Sequence, residues 1–221
     1  MRKPGKYARR LVIMVKEPRP GWVKTRLGAD IGLVQAAWWF RHQSQALIRS
    51  LSRDPRWQTS LAVAPDAEGL ASRVWPQRVA KRAQGGGDLG ARMGALFTSL
   101  PPGPVVIIGA DIPNITPAHI ATAFAALGDH DAVFGPAVDG GYWLIGLRRS
   151  TRPTQLRFEG VRWSTKHALA DSVACLAGAK VTFVDTLRDV DRATDLEQRS
   201  PIQRGENPPP RFAHDGPDVA C

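Results

Sequence analysis

The sequence predicts one α/β domain built on a largely parallel central β-sheet. Short apolar runs alternate with stretches of helical periodicity, and this alternation is typical of a layered sheet whose strands are joined by helices. The chain has 221 residues, which fits a single domain of roughly 200–250 residues. Its hydrophobic content of 43% and its charged content of 23% are those of an ordinary globular protein.

The N-terminal half of the chain predicts three strands and two helices. Residues 10–15 (RLVIMV) are a short apolar run that indicates a buried strand, and residues 57–65 form a second strand that ends at Pro65. Residues 32–51 predict a helix, because their apolar side chains recur at helical spacing. A short third strand then leads through three glycines, 85–87, into a helix that ends near residue 100.

The C-terminal half predicts four strands and three helices. Residues 116–127 indicate a helix with Thr116 as the N-cap and Pro117 in the first turn. A second helix, 164–178, has Ser164 or Thr165 as its cap and ends at Gly178, and a short last helix covers 192–200. The apolar runs that indicate strands are 104–111, 130–137, 141–147 and 180–187.

The ends of the chain and its cysteines bear on domain boundaries and location. Residues 1–199 are predicted to form the domain and residues 200–221 a disordered, Pro-rich tail that lacks periodicity. Cys175 and Cys221 are too few for a disulfide framework or a cysteine-ligated zinc site, which fits a reducing cytoplasm. The apolar run near the N-terminus is too short for a signal peptide, and no stretch approaches the ~18 apolar residues of a membrane span. We therefore predict a cytoplasmic protein without membrane insertion.

The net charge of +10 favours a polyanionic partner, such as a nucleotide, a nucleic acid or a membrane surface. The clearest basic cluster is KEPRPGWVKTRL, residues 16–27, which directly follows the first predicted strand. Because the chain contains 30 lysines and arginines, such a cluster can also be ordinary solvated surface. Charge alone therefore leaves both interpretations open.

Carboxylates follow three other predicted strands. Asp111 follows the strand 104–111, Asp139 follows the next one, and Asp189 and Asp191 follow the last. Ligands of open α/β sheets bind beyond the carboxyl ends of the strands, so we expect these acids and the basic cluster to share one rim. Carboxylates can hold a hard divalent cation that bridges phosphate oxygens, while lysine or arginine neutralises the remaining charge. The arrangement predicts a site for a metal and a nucleotide.

Each of these acids also has a purely structural interpretation. Asp111 can cap the turn into the next helix, and Asp191 can cap the last one. The sequence DGGY, residues 139–142, can be a tight turn between antiparallel strands.

The segment GGGDLGARM also has two interpretations. Asp88 can be a helix N-cap, or the glycines can let backbone N–H groups approach an anion, with Arg92 one turn further on the same face. Trp163 can be a core residue or a stacking platform.

Five motifs occur in one order over roughly residues 10–197, and together they resemble a known family. They are KEPRPGWVKTRL, GGGDLGARM, GADIPNITPAHIATAFAALGDHDAVFGPAVDGGYWLIGL, FEGVRWST and DVDRATDLE. The family is radical-SAM/selenodomain-associated transferase 1, a group of small glycosyltransferase-like bacterial proteins. The resemblance implies a GT-A-like three-layer sandwich, as in nucleotide-diphospho-sugar transferases. It also implies a relationship to guanylyltransferases that act on phospholactate or phosphoenolpyruvate.

The resemblance implies a role for individual residues of this chain. For a Mg²⁺ or Mn²⁺ ion, the matching positions are Asp111, Asp189 and Asp191. For the nucleotide they are Lys16, Gly21, Lys24, Arg26, Asp88 and Arg92. For the acceptor they are Asp139, Gly140, Gly141, Tyr142 and Trp163.

Three functional hypotheses follow. The first is a metal-dependent transferase that passes a glycosyl group from a nucleotide sugar to a small acceptor, with Asp139, Lys24 and Arg26 as catalytic residues. The second is nucleotidyl transfer from a triphosphate to a phosphorylated small acid. The third is a non-catalytic protein that binds polyanions, although the sequence carries no nucleic-acid-binding motif. The sequence makes no prediction of oligomeric state.

Overall fold

A computed structural model describes residues 8–149 and 158–197 of the chain. The predicted tail lies outside the described residues. The strands are β1 Arg10–Lys16, β2 Gln58–Ala64, β3 Ala80–Ala83, β4 Val105–Gly109, β5 Ala132–Pro136, β6 Tyr142–Leu147 and β7 Val181–Phe183. The helices are α1 Thr25–Ile31, α2 Leu33–Ser52, α3 Asp66–Ala71, α4 Leu89–Ser99, α5 Pro117–Ala126, α6 Ala168–Ala174 and α7 Ala193–Glu197.

The strands form one mostly parallel sheet, in the order β3-β2-β1-β4-β6-β5-β7. Strand β6 runs antiparallel to both of its neighbours, β4 and β5, whereas the remaining pairs are parallel. The predicted α/β class with a mostly parallel sheet is therefore confirmed.

Helices cover both faces of the sheet, so the fold has three layers. In β1, Leu11, Ile13 and Val15 belong to one core and Val12 to the other, as the alternation of a strand requires. The first core is completed by α2 and α5 and the second by α4 and α6. Because both faces are buried, the central strands are apolar throughout instead of alternating with polar residues.

The structure contains two short helices that the sequence analysis did not predict. Helix α1 begins at Thr25, near the end of the basic segment 16–27, and runs beyond it to Ile31, and α3 begins two residues after β2 ends. Each has seven residues or fewer, too few to show a helical repeat in the sequence. Helix α1 buries Leu27 and Gly28 against α2 and α7.

Two predicted elements are shorter in the structure. Helix α6 covers Ala168–Ala174 instead of 164–178, because residues 163–167 form turns in which Ser164 has a φ of 59°. Its N-cap is His167 and not Ser164 or Thr165, and it ends before Gly178. Strand β7 ends at Phe183. Beyond it, a single parallel bridge between Ala137 and Leu187 continues the pairing of β7 with β5. The predicted Thr116 cap of α5 is present, and the His119 side chain completes a capping box with it.

The parallel topology brings the carboxyl ends of β1, β4, β5 and β7 to one edge of the sheet, and β6 begins at that edge. A buried glutamine links two of the strands there. The Gln84 side chain is buried, and its Nε2 donates to the carbonyl oxygens of Val15 (3.1 Å) and Ala62 (2.8 Å). Its Oε1 accepts from Arg92 at 3.5 Å, which connects the sheet to α4.

We expect Gln84→Leu to lower the free energy of unfolding by about 2 kcal/mol, because it removes hydrogen bonds from two buried carbonyl groups. Urea unfolding measures the loss. Gln77→Leu is the matched control: Gln77 is exposed, and within residues 8–149 and 158–197 its side chain bonds only the nearby Trp75 carbonyl, so its loss should stay within about 0.5 kcal/mol. Equal losses in the two variants would show that the buried bridge contributes nothing.

Candidate functional site

A cleft of about 780 Å³ opens at the carboxyl edge of the sheet. It is bounded by the loops that follow β1 and β4, the turn between β5 and β6, and the start of α4. The residues of the predicted site that line it are Lys16, Lys24, Arg26, Asp88, Arg92, Asp111, Asp139, Tyr142 and Asp191. Predicted site residues outside its lining are Gly21, Gly140, Gly141, Trp163 and Asp189.

An ammonium group lies between two carboxylates at the centre of this cleft. Lys24 Nζ is 3.1 Å from Asp111 Oδ2 and 3.5 Å from Asp191 Oδ1. The Lys24 side chain is only 6% exposed, and these two carboxylates offset the cost of burying an ammonium group. The backbone of Lys24 has a φ of 48°, which turns the chain sharply into α1. The two acids are 80 residues apart in sequence but face the same cation.

A second cation contacts Asp191 from the solvent side. Arg26 Nη1 donates to Asp191 Oδ2 at 2.6 Å, and the Arg26 side chain is 65% exposed. Burial alone would raise the pKa of Asp191, but the Arg26 hydrogen bond and the charges of Lys24 and Arg26 hold it below its ordinary value. Asp191 is therefore an anion at neutral pH.

Other acids cap the last helix, which leaves the Asp191 carboxylate free to face the cleft. Asp195 Oδ2 accepts from the backbone N–H groups of Asp191 (3.0 Å) and Arg192 (2.8 Å). Asp30, at the end of α1, accepts from the Ala193 N–H at 3.0 Å. The capping interpretation of Asp191 is thus replaced by an ion-pair role, because Asp30 and Asp195 supply the caps.

Asp189 lies close to the same charges but is more buried. Burial is the main cause that raises its pKa to about 6, and the negative charges of Asp191, Asp111 and Asp139 add to it, while Lys24 opposes it. Asp189 thus interacts electrostatically with three of the four acids that line the cleft, Asp111, Asp139 and Asp191.

The glycine-rich segment before α4 forms another wall. Asp88 caps α4, since its Oδ1 accepts from the Ala91 N–H at 2.8 Å, and it lines the cleft as well. Arg92 Nε donates to the Gly87 carbonyl at 3.0 Å. Together with Gln84, this contact fixes the glycine segment against the sheet.

The basic loop after β1 carries an exposed aromatic side chain that the sequence analysis did not select. Trp22 is 52% exposed, lines the cleft, and has the Arg19 guanidinium 5.2 Å from its ring centroid. The backbone N–H of Trp22 donates to the Arg19 carbonyl at 3.0 Å and closes a turn in which Gly21 has a φ of 80°. The sequence analysis did not select Trp22 because it considered only the charged residues and the glycine of this segment.

The DGGY segment is the turn between β5 and β6. Asp139 Oδ1 accepts from the Gly141 N–H at 2.9 Å, and the Asp139 side chain lines the cleft. Gly140 has a φ of 86° and packs against the backbone of Lys166: an added Cβ would be 2.4 Å from the Lys166 carbonyl oxygen. The turn therefore packs directly against the segment that leads into α6.

Tyr142 and Trp163 are placed mainly by packing. The Tyr142 hydroxyl accepts from Ser172 Oγ at 3.2 Å, and burial raises the pKa of this phenol, so it stays protonated. Trp163 packs edge-on against Tyr142 and Phe158 and covers Gly90. This supports the core interpretation of Trp163, whereas the Tyr142 ring also forms part of the cleft wall.

The oxygen atoms of Asp111 and Asp191 are the groups best placed to hold a divalent cation. Among residues 8–149 and 158–197, no group of three or more His, Cys, Asp or Glu side chains is arranged as a complete metal site. Mg²⁺ commonly takes one or two carboxylates and completes its shell with water and substrate phosphates. Two carboxylates that already share one cation fit that requirement.

The chain is similar to proteins of known structure and to one described family. Residues 47–165 match the family "Uncharacterized protein conserved in bacteria (DUF2064)". No curated protein matches the chain. A Desulfovibrio desulfuricans G20 protein, provisionally named a nucleotide-diphospho-sugar transferase, is 33% identical with a TM-score of 0.72; the match covers 83% of this chain and 82% of that one.

Two more distant structures share the fold. The 4-diphosphocytidyl-2C-methyl-D-erythritol synthase of Anaerococcus prevotii DSM 20548 is 10% identical, with a TM-score of 0.56 over 86% of this chain and 93% of that one. Rv0371c of Mycobacterium tuberculosis H37Rv, solved in complex with manganese, is 16% identical, with a TM-score of 0.50 over 86% and 96%. These likenesses confirm the predicted fold type. No helix within the described residues is long and apolar enough to cross a membrane.

We expect Gly140→Ala to destabilise the protein by about 1–3 kcal/mol more than Gly160→Ala does, measured by urea unfolding. Both glycines have positive φ angles, 86° and 75°, so both variants share the backbone cost of an L-residue in that region. Only Gly140 has backbone atoms against it, since nothing lies within 4 Å of a Cβ at Gly160. Equal costs would mean that the turn does not depend on its contact with Lys166.

Proposed function

Because the chain belongs to the bacterial family DUF2064, we propose that it is a metal-dependent transferase that uses a nucleotide-activated donor. The proposed reaction passes a glycosyl group from a nucleotide sugar to a small acceptor. The 33%-identical Desulfovibrio protein, provisionally named a nucleotide-diphospho-sugar transferase, supports this choice of donor. So does the resemblance of five sequence motifs to radical-SAM/selenodomain-associated transferase 1.

The observation that carries the proposal is the convergence of Asp111 and Asp191 on one cation position inside the cleft. Both carboxylates lie within 3.5 Å of Lys24 Nζ, so both can contribute to one site. Hard oxygen ligands suit Mg²⁺ or Mn²⁺. A divalent cation held by these two residues would stabilise negative charge on the phosphates of the donor.

The cations around the cleft would bind the same phosphates. Lys16, Lys24, Arg26 and Arg92 line it, and a diphosphate leaving group gains negative charge as the glycosidic bond breaks. Arg26 is well suited to this role, because its side chain is 65% exposed while it remains anchored to Asp191. Preorganised cations stabilise such charge without reorganising during the reaction.

The turn between β5 and β6 would supply the acceptor side. Asp139 is exposed, lines the cleft and is held by the Gly141 N–H. We assign it the role of orienting or deprotonating the acceptor hydroxyl. Tyr142 would form the wall beside it and stay protonated, because its pKa is raised and its hydroxyl already pairs with Ser172.

Nucleotidyl transfer is the second candidate reaction, because the four cations that line the cleft suit a triphosphate as well as a diphosphate. The acceptor would then be a phosphorylated small acid. The two reactions differ in their products: glycosyl transfer releases a nucleoside diphosphate, whereas nucleotidyl transfer releases pyrophosphate.

We expect nucleotide sugars to raise the melting temperature in the presence of Mn²⁺ and to have little effect without it. Ligand at 100 times its Kd adds about 2.7 kcal/mol of stability, which for a domain of this size corresponds to roughly 5 °C or more. A thermal-shift panel of nucleotide sugars and nucleoside triphosphates, with and without Mn²⁺, measures this. A response restricted to triphosphates, with pyrophosphate release, would replace glycosyl transfer by nucleotidyl transfer.

We expect Asp111→Asn to lower kcat by at least about 10²-fold, the size of effect that follows the loss of one major electrostatic stabiliser. Steady-state assay with the nucleotide sugar that binds best measures it. Asp129→Asn is the matched control, since Asp129 is an exposed acid after α5, at the opposite edge of the sheet. Near-normal turnover of Asp111→Asn would remove Asp111 from the reaction.

A further inference from the structure

We propose that Lys24 is an internal counterion that occupies the metal position until a nucleotide binds. The inference rests on the proposed function, because it concerns how the same carboxylates receive a divalent cation. Lys24 Nζ contacts both Asp111 and Asp191, the two residues assigned to the metal. In this arrangement the ammonium and the divalent ion compete for the same oxygen atoms.

The chain is built to keep the Lys24 ammonium in that position. Its backbone has a left-handed φ of 48°, a conformation that non-glycine residues seldom adopt, and its carbonyl accepts from the Gly28 N–H at 2.8 Å as α1 begins. The side chain is buried apart from 6% of its surface. A buried ammonium needs anionic partners, and Asp111 and Asp191 supply them.

A divalent cation cannot join this arrangement without moving the ammonium. Two positive groups within a few ångströms of the same carboxylates repel each other, so the ammonium needs another anion before it can leave. The phosphates of a nucleotide supply that anion. Arg26 meanwhile holds the other oxygen of Asp191 at 2.6 Å, which keeps this carboxylate in place during the exchange.

The consequence is coupled binding. The metal alone should bind weakly, and the metal and the nucleotide should each strengthen the binding of the other, because binding linkage is reciprocal. Lys24 would then serve two partners in turn: the carboxylates in the free protein and the phosphates in the complex. If Lys24 were only a phosphate ligand, its removal would weaken nucleotide binding and leave the affinity for the metal unchanged.

The test is a titration of the purified full chain with Mn²⁺ alone. The affinity for Mn²⁺ is measured from the loss of the free Mn²⁺ signal in electron paramagnetic resonance and, independently, by calorimetry. We expect Lys24→Met to bind Mn²⁺ about tenfold more tightly than the wild type, within the usual range of coupling between sites. Lys16→Met is the matched control. It removes the same charge from the same cleft, but Lys16 is an exposed residue at the end of β1, so it should change affinity by less than about threefold.

Two further variants keep the outcome interpretable. Lys24→Asn retains a residue that tolerates a positive φ, so it guards against a folding defect and should show the same gain in Mn²⁺ affinity. Adding Asp111→Asn to Lys24→Met should abolish the gain, because the gain requires both carboxylates. A gain that survives this second substitution would place the ion elsewhere and overturn the proposal.

The failure of this inference differs from the failure of the proposed function. If Lys24→Met gains no more Mn²⁺ affinity than Lys16→Met, while the wild type binds UDP in the presence of Mn²⁺, the counterion role is wrong and the proposed function stands. If Lys24→Met gains affinity but no nucleotide or nucleotide sugar binds, the counterion role stands and the transferase proposal is wrong. If no variant binds Mn²⁺, either alone or in the presence of UDP, both are overturned.

Discussion

Burial of the sheet on both faces is the constraint on which the rest of the molecule depends. Apolar side chains from β1 pack into one core or the other in alternation, and helices close both cores. Charged groups are therefore absent from the central strands β4, β5 and β6, and in β1 they stand only at its two ends. Because the strands next to β1 run parallel to it, the loops that leave their carboxyl ends meet at one edge. The cleft is a product of this topology.

The single reversed strand gives this edge a second kind of loop. Strand β6 runs antiparallel between β4 and β5, so it begins where its neighbours end. The connection from β5 to β6 is a tight turn at the cleft, whereas the other connections leave the edge for a helix or a long loop. Asp139 is therefore held on a short turn by the Gly141 N–H, whereas the cations of the basic loop are held by ion pairs with Asp111 and Asp191. The two sides of the cleft differ in both charge and construction.

The sequence predicted the features that depend on long or local patterns. The apolar strands β1 and β4, the helix α2 and the Thr116 cap of α5 all follow from periodicity or from neighbouring residues. The two short helices α1 and α3 are absent from the prediction because fewer than two turns of helix leave no repeat to detect.

What could not be predicted depends on residues that are distant in sequence. Whether Asp191 caps α7 or faces a cation depends on Asp30, which is more than 160 positions away and supplies one of the caps. The role of Gln84 depends on two strands whose carbonyl groups it bridges. Periodicity identifies a helix or strand but not the residues that pack against it. The sequence could therefore place the acids at one edge of the sheet, but it could not predict which residue each acid contacts.

The cap that Asp30 gives to α7 ties the two ends of the folded chain together. Helix α1 follows the first strand, α7 is the last described element, and the Ala193 N–H and the Arg192 side chain both bind Asp30. During synthesis the sheet and most of both cores can form before residue 191 exists, but the pair of carboxylates around Lys24 cannot. A ribosome-bound or C-terminally trimmed chain that ends before Asp191 would have a nearly complete scaffold in which Lys24 lacks one of its two carboxylate partners.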